Sequence, residues 1–174
     1  MAENNKPTLA TLNVLTQLDF VRVVGPVFEH SPWIAESAWS KKPFTDIEQF
    51  HSTLCEIVLH AGEEKQLALI RAHPDLVGRA ALVGTLTRES TDEQASAGLN
   101  ALSPDEIALF QKQNAAYKKR FGFPFVICAR LNKKAAILAG FERRLQNSRT
   151  QEIKTALEEI FKIAELRLHD LVAH

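Results

Sequence analysis

The stretch SPDEIALFQKQNAAYKKRFGFPFVICAR, residues 103–130, decides the fold class of this 174-residue chain. Its first residues form a strong helix-start signal, because Ser103 can cap a helix, a proline suits the first helical position and Glu106 can reach back to the cap. Apolar residues then recur at helical spacing until Gly122, a residue type that commonly ends helices. The stretch therefore predicts one long amphipathic helix.

The run FPFVICA that follows, residues 123–129, is the one strand-like segment of the sequence. A single short run cannot form a sheet, so we expect a buried extended connector near 123–129, called the connector below. Helix caps and helical apolar spacing recur elsewhere in the chain, for example at Ser90 with Glu93. We therefore predict an all-α fold, a single compact multi-helix domain over residues 1–174 with a flexible N-terminal tail at 1–10.

Composition excludes several classes of function. The chain has 21 Lys and Arg against 21 Asp and Glu, so it lacks the basic surplus that nucleic-acid binding and polybasic membrane binding need. Cys55 and Cys128 lie far apart, and the six histidines form no HExxH or comparable pair, so no metal site is expected. No nucleotide-binding glycine loop or GxSxG nucleophile motif is present.

The chain ends carry no recognisable address. The N-terminus is polar and lacks a signal-peptide core, no apolar run is long enough to span a membrane, and the terminal Val-Ala-His is not a peroxisomal signal. We therefore expect a cytoplasmic protein.

His73 is the best local candidate for proton transfer. It stands at a forced helix break, because the residue before Pro74 is excluded from helical geometry. An imidazole that titrates near neutrality suits proton donation or acceptance at pH 7. Glu93 has two interpretations: the return acid of a capping box that begins at Ser90, or a catalytic carboxylate beside an anion-binding helix start.

Three further polar residues could lie in or near a site. The Gln94 amide could bind a ureido or imide edge. Arg130 follows the connector directly and could pair with a substrate carboxylate or form an ordinary salt bridge. Asn114 lies on the apolar face of its helix, so we expect its amide to join a polar network near the site.

Taken in order, AHPDLVGRAALVG (residues 72–84), LTRESTDEQASAGL (86–99) and YKKRFGFPFVICAR (117–130) resemble one family. It is the family of 2-oxo-4-hydroxy-4-carboxy-5-ureidoimidazoline (OHCU) decarboxylases, the last enzymes of the route from urate to (S)-allantoin. VFEHSPWIAE, residues 27–36, resembles a further block of the family, so the likeness extends from about Leu12 to Leu171.

The resemblance implies an all-helical enzyme, usually a homodimer, that decarboxylates OHCU without a metal or organic cofactor. It implies that His73 is the catalytic histidine and Glu93 its partner carboxylate. The substrate-contacting residues that it implies are Pro74, Ser90, Gln94, Phe125, Val126, Ile127, Cys128, Ala129 and Arg130. The missing peroxisomal signal fits a bacterial-type cytosolic member.

The expected chemistry agrees with these residues. Loss of CO2 leaves an electron pair on carbon, which the ring carbonyl and conjugated nitrogens of the substrate can accept, so the protein must orient the ring and deliver one proton. Two alternatives stay open on sequence grounds: a helical module that binds a partner's amphipathic helix, and a cofactor-free lyase or hydrolase acting on another ureido compound.

Overall fold

The structure is a computed structural model that describes residues 6–173, and the regular secondary structure in that range is helical. Its α-helices are α1 (Leu9–Val14), α2 (Gln17–Val24), α3 (Trp33–Trp39), α4 (Ile47–Leu59), α5 (Glu63–Ala72), α6 (Arg79–Leu82), α7 (Arg88–Ser96), α8 (Pro104–Phe121), α9 (Lys134–Arg144) and α10 (Arg149–Leu171). Two 3-10 helices span Gly25–Val27 and Ala129–Leu131. The all-α prediction is confirmed, and the connector runs without helix until its last residue begins the second 3-10 helix.

The tail predicted for residues 1–10 has a different boundary in the structure. Its first five residues lie outside the described range. Leu9 and Ala10 belong to α1, because the Thr8 hydroxyl caps that helix by accepting the Thr11 backbone N–H at 3.1 Å. A local cap that the sequence analysis did not weigh thus orders residues assigned to the tail.

The chain divides into two compact units. The first consists of the described residues up to Leu69 and those from Phe161 onward, and the second is Ile70–Ile160. The single domain expected from the sequence stays a prediction. Within residues 6–173, no helix is both long enough and apolar enough to cross a membrane.

Aromatic packing forms the core of the first unit. Phe20, Phe44 and Phe50 are buried together, with the rings of Phe44 and Phe50 stacked at a centroid distance of 4.1 Å. The Asn13 side chain fixes the Phe44 backbone, because its Nδ2 donates to the Phe44 carbonyl at 2.9 Å and its Oδ1 accepts the Phe44 N–H at 2.8 Å. Buried aromatic side chains remove a large apolar area from water, and they therefore dominate the energetics of a core.

The first unit also buries an ion pair that the sequence analysis did not anticipate. Arg167 Nη2 donates to Glu29 Oε2 at 3.0 Å, and Arg167 Nη1 donates to the Pro26 carbonyl at 3.1 Å. Both charged side chains are at most 5% exposed, so each depends on the other for its burial.

In the second unit, α8 has the ends that the sequence predicts. The Ser103 hydroxyl and the Glu106 carboxylate form the capping box, and Gly122 ends the helix with a φ of 80° while its N–H donates to the Lys118 carbonyl. Tyr117 of α8 packs edge-on against Phe125 of the connector at a centroid distance of 5.2 Å. The long helix thereby fixes the segment that follows it.

A glycine on α9 lets that helix approach the connector closely. A Cβ at Gly140 would lie 3.3 Å from Cζ of Phe125, so a larger residue would displace the ring. Beside it, Phe125 stacks on Phe141 at 3.8 Å. The connector is thus held between α8 and α9.

Candidate active site

His73 begins a tight turn after α5, residues 73–78, called the His73 turn below. The helix ends at Ala72, because His73 precedes Pro74 and cannot continue it. The backbone N–H of His73 still donates to the Ile70 carbonyl at 3.2 Å, and the residue is only 8% exposed. The hydrogen bond to Ile70 before the break and the Pro74 ring after it therefore restrict the backbone of His73.

Two side chains of α8 hold the His73 turn from one side. Lys118 Nζ contacts Asp75 Oδ2 at 2.7 Å, and Asn114 Nδ2 donates to the Leu76 carbonyl at 2.7 Å. Asn114 is buried, and its amide forms this hydrogen bond to the backbone of the turn. Val77, which follows Leu76 in the turn, has a φ of 52°, a left-handed conformation that β-branched residues rarely adopt.

The predicted capping box of Ser90 and Glu93 is wrong. Thr87 is the N-cap of α7, since its hydroxyl accepts the Ser90 backbone N–H at 3.2 Å. Ser90 and Glu93 therefore lie inside the helix, and the Ser90 amide already has an acceptor. The capping interpretation of Glu93 falls away, and so does an anion site built on the Ser90 amide.

Ser90, Glu93 and Gln94 share one side of α7, because positions three and four apart lie on the same helical face. Ser90 and Gln94 are buried, and Glu93 is half-buried. Gln94 Oε1 accepts the Val77 backbone N–H at 3.0 Å. Gln94 therefore ties α7 to the His73 turn and turns its Nε2 group away from Val77.

Side chains, rather than a neighbouring strand, bind the connector's backbone. Arg144 Nη1 donates to the Val126 carbonyl at 2.6 Å, and Asn132 Nδ2 donates to the Cys128 carbonyl at 2.9 Å. The Cys128 N–H donates to Glu159 Oε2 at 2.8 Å. The resemblance implies that Cys128 contacts substrate, and in the structure its backbone amide donates to Glu159.

The connector also approaches α7. Its last residue starts the 3-10 helix Ala129–Leu131, which packs against α7. Burial, above all, raises the pKa of the Cys128 thiol, and the carboxylates of Glu159 and Glu93 raise it further, while the Arg130 guanidinium lowers it. The thiol therefore stays protonated near neutral pH, and the charges of two carboxylates and one guanidinium act on it.

A buried network under the connector completes the surroundings. Arg144 Nε donates to Glu152 Oε2 at 2.9 Å, the Tyr117 hydroxyl donates to the same carboxylate, and Asn147 Nδ2 donates to Glu152 Oε1 at 2.7 Å. Burial raises the pKa of Tyr117, so its hydroxyl stays a donor. The sequence analysis identified neither Arg144 nor Glu152.

The predicted site residues all lie in the second unit. The His73 turn carries His73 and Pro74; α7 carries Ser90, Glu93 and Gln94; the connector and its 3-10 helix carry Phe125, Val126, Ile127, Cys128, Ala129 and Arg130. Gln94 joins the first two segments by a hydrogen bond, and the packing of α7 on the 3-10 helix joins the last two. Arg130 itself is exposed.

A cavity of about 380 Å³ opens beside α7, with Gln94 and Val77 in its wall. Most of the remaining wall is apolar, and neither His73 nor Glu93 lines it. In the part of the chain that the structure describes, no group of three or more His, Cys, Asp or Glu side chains is arranged to hold a metal ion.

Comparisons with known proteins identify the family of the chain. A family model described as OHCU decarboxylase matches residues 13–169. A 2-oxo-4-hydroxy-4-carboxy-5-ureidoimidazoline decarboxylase of Haloferax volcanii is 45% identical over 161 residues, which cover 92% of this chain and 94% of that protein. A crystal structure of (S)-allantoin synthase superimposes with a TM-score of 0.78 at 27% identity, covering 96% of this chain and 54% of that one. A crystal structure of OHCU decarboxylase in the presence of (S)-allantoin gives a TM-score of 0.67 at 26% identity, covering 83% and 94%. The chain belongs to the OHCU decarboxylase family.

Proposed function

We propose that this protein decarboxylates OHCU to (S)-allantoin, the last step of urate degradation, with His73 as the proton donor. The observation that carries the reaction is the family match over residues 13–169, which includes the three segments of the site. The roles of individual residues are our proposal and rest on the geometry described above.

The reaction breaks the bond between the ring carbon and the carboxylate. CO2 leaves, the electron pair stays on the ring carbon, and the adjacent carbonyl and conjugated nitrogens accept the charge as an enolate. A proton must then reach that carbon from one face. Because the substrate supplies its own electron sink, we expect the protein to need no metal or organic cofactor, and to accelerate the reaction by orientation and by stabilising the enolate.

His73 suits the proton donor because its backbone is fixed and its ring belongs to a largely buried residue. An imidazole exchanges protons near neutral pH, and a positioned general acid contributes about 10²- to 10⁴-fold to a rate. We assign Glu93 the task of orienting this ring and favouring its charged form. Glu93 does not serve as a helix cap, so its carboxylate is not committed to the helix start.

Substrate oxygens require donors. Because Gln94 Oε1 is occupied by Val77, its Nε2 group offers two N–H bonds to a ligand carbonyl or carboxylate. We propose that Gln94, Ser90 and Pro74 contact the ring from one side and that the connector, Phe125 to Ala129, contacts it from the other. The Cys128 amide takes no part as a donor to substrate, because it already donates to Glu159. Arg130 would meet the substrate carboxylate.

The test is a stereospecific assay. Urate is oxidised and hydrolysed in situ to OHCU, and circular dichroism follows the enantiomeric excess of allantoin. Unassisted decay gives racemic product, so added protein should produce an (S) excess. The His73→Asn variant should lose this excess, and its kcat should fall by about 10²-fold or more. A racemic signal unchanged by the wild-type protein would reject the function.

A matched control separates the role of His73 from a general effect of losing a histidine. His60 ends α4 in the first unit and hydrogen-bonds the Glu56 carbonyl through Nδ1 at 2.8 Å. His60→Asn should keep the wild-type rate and enantiomeric excess. Equal losses in His60→Asn and His73→Asn would contradict the assignment of His73.

The assembly and compartment are also proposals. We propose a cytoplasmic homodimer. Members of the family that the sequence resembles are usually homodimers, and the apolar side chains of Val14 and Leu18, which are 83% and 80% exposed, could be covered in a dimer. Analytical ultracentrifugation should give a mass near 39 kDa, twice the 19.5 kDa of one chain. A species of one chain's mass at micromolar concentration would contradict the dimer.

A further inference from the structure

We propose that Asn114 is a positioning residue for the reaction: its side-chain amide holds the Leu76 carbonyl and thereby fixes the turn that carries His73. The inference rests on the proposed role of His73, and the experiment below separates the two. Asn114 lies on α8 and acts on the reaction only through the backbone of the His73 turn.

Three hydrogen-bonding side chains hold consecutive residues of this turn. Lys118 reaches Asp75 at 2.7 Å, Asn114 reaches the Leu76 carbonyl at 2.7 Å, and Gln94 accepts the next N–H, that of residue 77, at 3.0 Å. Asn114 and Lys118 are one helical turn apart, so α8 presents both side chains on the same face. The rigid long helix therefore sets the position of the turn.

The backbone of the turn requires such support. Val77 is held at a φ of 52°, a strained conformation for a β-branched residue. The following residue, Gly78, lies so close to Asp75 that a Cβ on it would be 2.6 Å from Cβ of Asp75. A turn with these features relaxes when its outside contacts are removed, and His73 and Gln94 would both move with it.

Fold stability alone does not explain an amide at position 114. Among the described residues, no donor reaches Asn114 Oδ1, which is buried, so the amide carries an unsatisfied acceptor. A leucine in its place would remove that acceptor and leave the Leu76 carbonyl without a donor. One unpaired buried oxygen would replace another, and the stability of the fold should change little while the turn loses its anchor.

The first experiment compares Asn114→Leu with Gln111→Leu, the same kind of substitution at an exposed position on α8. Asn114→Leu should lower kcat about 10- to 100-fold, because small displacements of catalytic groups cost rates of that order. Its urea midpoint should stay close to that of Gln111→Leu, because one unpaired buried oxygen replaces another. The (S) excess of the product should fall as well.

A second variant gives a pH signature. In Asn114→Asp, the ionised carboxylate cannot donate to Leu76, whereas the protonated acid can. The ratio of variant to wild-type kcat should therefore rise as the pH is lowered. A merely structural role for the side chain would leave that ratio constant.

Hydrogen exchange of the Val77 amide tests the turn without any activity. Its N–H donates to Gln94 in the native turn, and in Asn114→Leu its exchange should quicken at least tenfold while amides in the middle of α8 keep their protection. If the wild-type protein fails the decarboxylase assay but Val77 responds in this way, the proposed function fails and the anchoring of the turn stands. A wild-type kcat in Asn114→Leu, or a flat pH ratio in Asn114→Asp with unchanged Val77 exchange, would overturn the inference. If Asn114→Leu does not fold, the pH ratio and Val77 exchange in Asn114→Asp decide.

Discussion

Replacing Arg144 by methionine tests the buried network under the connector. Arg144 is 4% exposed, and it donates to Glu152 at 2.9 Å and to the Val126 carbonyl at 2.6 Å. Methionine fills much of the same space without a charge or a donor. The change therefore leaves a fully buried carboxylate without its cation and a buried carbonyl without its donor.

The magnitude follows from these two losses. Removing one partner of a buried ion pair typically costs about 3–5 kcal/mol, and an unpaired buried carbonyl costs about 1–3 kcal/mol. Two donors to Glu152 remain, the Tyr117 hydroxyl and Asn147 Nδ2, and they offset part of the loss. We therefore expect the free energy of unfolding to fall by about 4 kcal/mol, a large share of the 5–15 kcal/mol of a typical domain.

A double-mutant cycle in urea identifies the buried charge as the cause. Adding Glu152→Leu to Arg144→Met removes the uncompensated carboxylate, so the double variant should be at least about 1 kcal/mol more stable than Arg144→Met alone. Arg143→Met, at the exposed neighbouring position, should stay within about 0.5 kcal/mol of wild type. A loss below about 1 kcal/mol in Arg144→Met, or purely additive effects in the cycle, would refute this account.

Four further predictions concern the caps of α7 and α8, Glu93 and the titration of Cys55. Thr87→Ala should lower the free energy of unfolding by about 1 kcal/mol because it removes the cap of α7, and an unchanged urea midpoint would contradict this cap. Glu93→Gln should reduce decarboxylation, and full activity would contradict its proposed role. Gly122→Ala should cost about 1–2 kcal/mol in the same denaturation assay, since alanine is strained at a φ of 80°; no change would show that α8 can end differently. Burial raises the pKa of the Cys55 thiol from 9.0 to about 12, so in that range the unfolded chain loses a proton that the folded chain keeps, and stability falls as the pH rises. The decline in melting temperature between about pH 8 and about pH 10 should therefore be smaller in Cys55→Ala than in wild type, and an equal decline would contradict it.

Elements whose ends are decided by neighbouring residues could be predicted from the sequence. The cap at Ser103 and the stop at Gly122 act within one helical turn, so α8 has its predicted bounds. The end of α5 before His73 follows from the geometry of the proline after it.

The start of α7 shows the limit of such local rules. Thr87 and Ser90 stand three residues apart, and either hydroxyl can cap a helix. The sequence does not decide between two equal local candidates, and the choice determines whether Glu93 is the return acid of the cap.

Contacts between distant segments could not be predicted at all. Glu159 bonds the Cys128 amide across 31 positions of sequence, and no spacing rule connects them. The burial of Glu152 could be predicted in part, because this residue stands four positions before Ala156 and eight before Ile160, two buried residues of α10. Helical spacing therefore marks it as a buried charge, but not as the partner of an arginine.

The connector's reliance on side chains for its backbone hydrogen bonds determines where this protein tolerates mutation. Apolar residues of the connector make non-directional contacts, so exchanges among valine, isoleucine and leucine at Val126 or Ile127 preserve most of their packing. Arg144, Asn132 and Glu159 instead supply directional bonds to another segment's main chain, and no main-chain change can compensate for their loss. In a saturation mutagenesis scan, these three polar positions will accept fewer amino acids than the apolar residues of the connector.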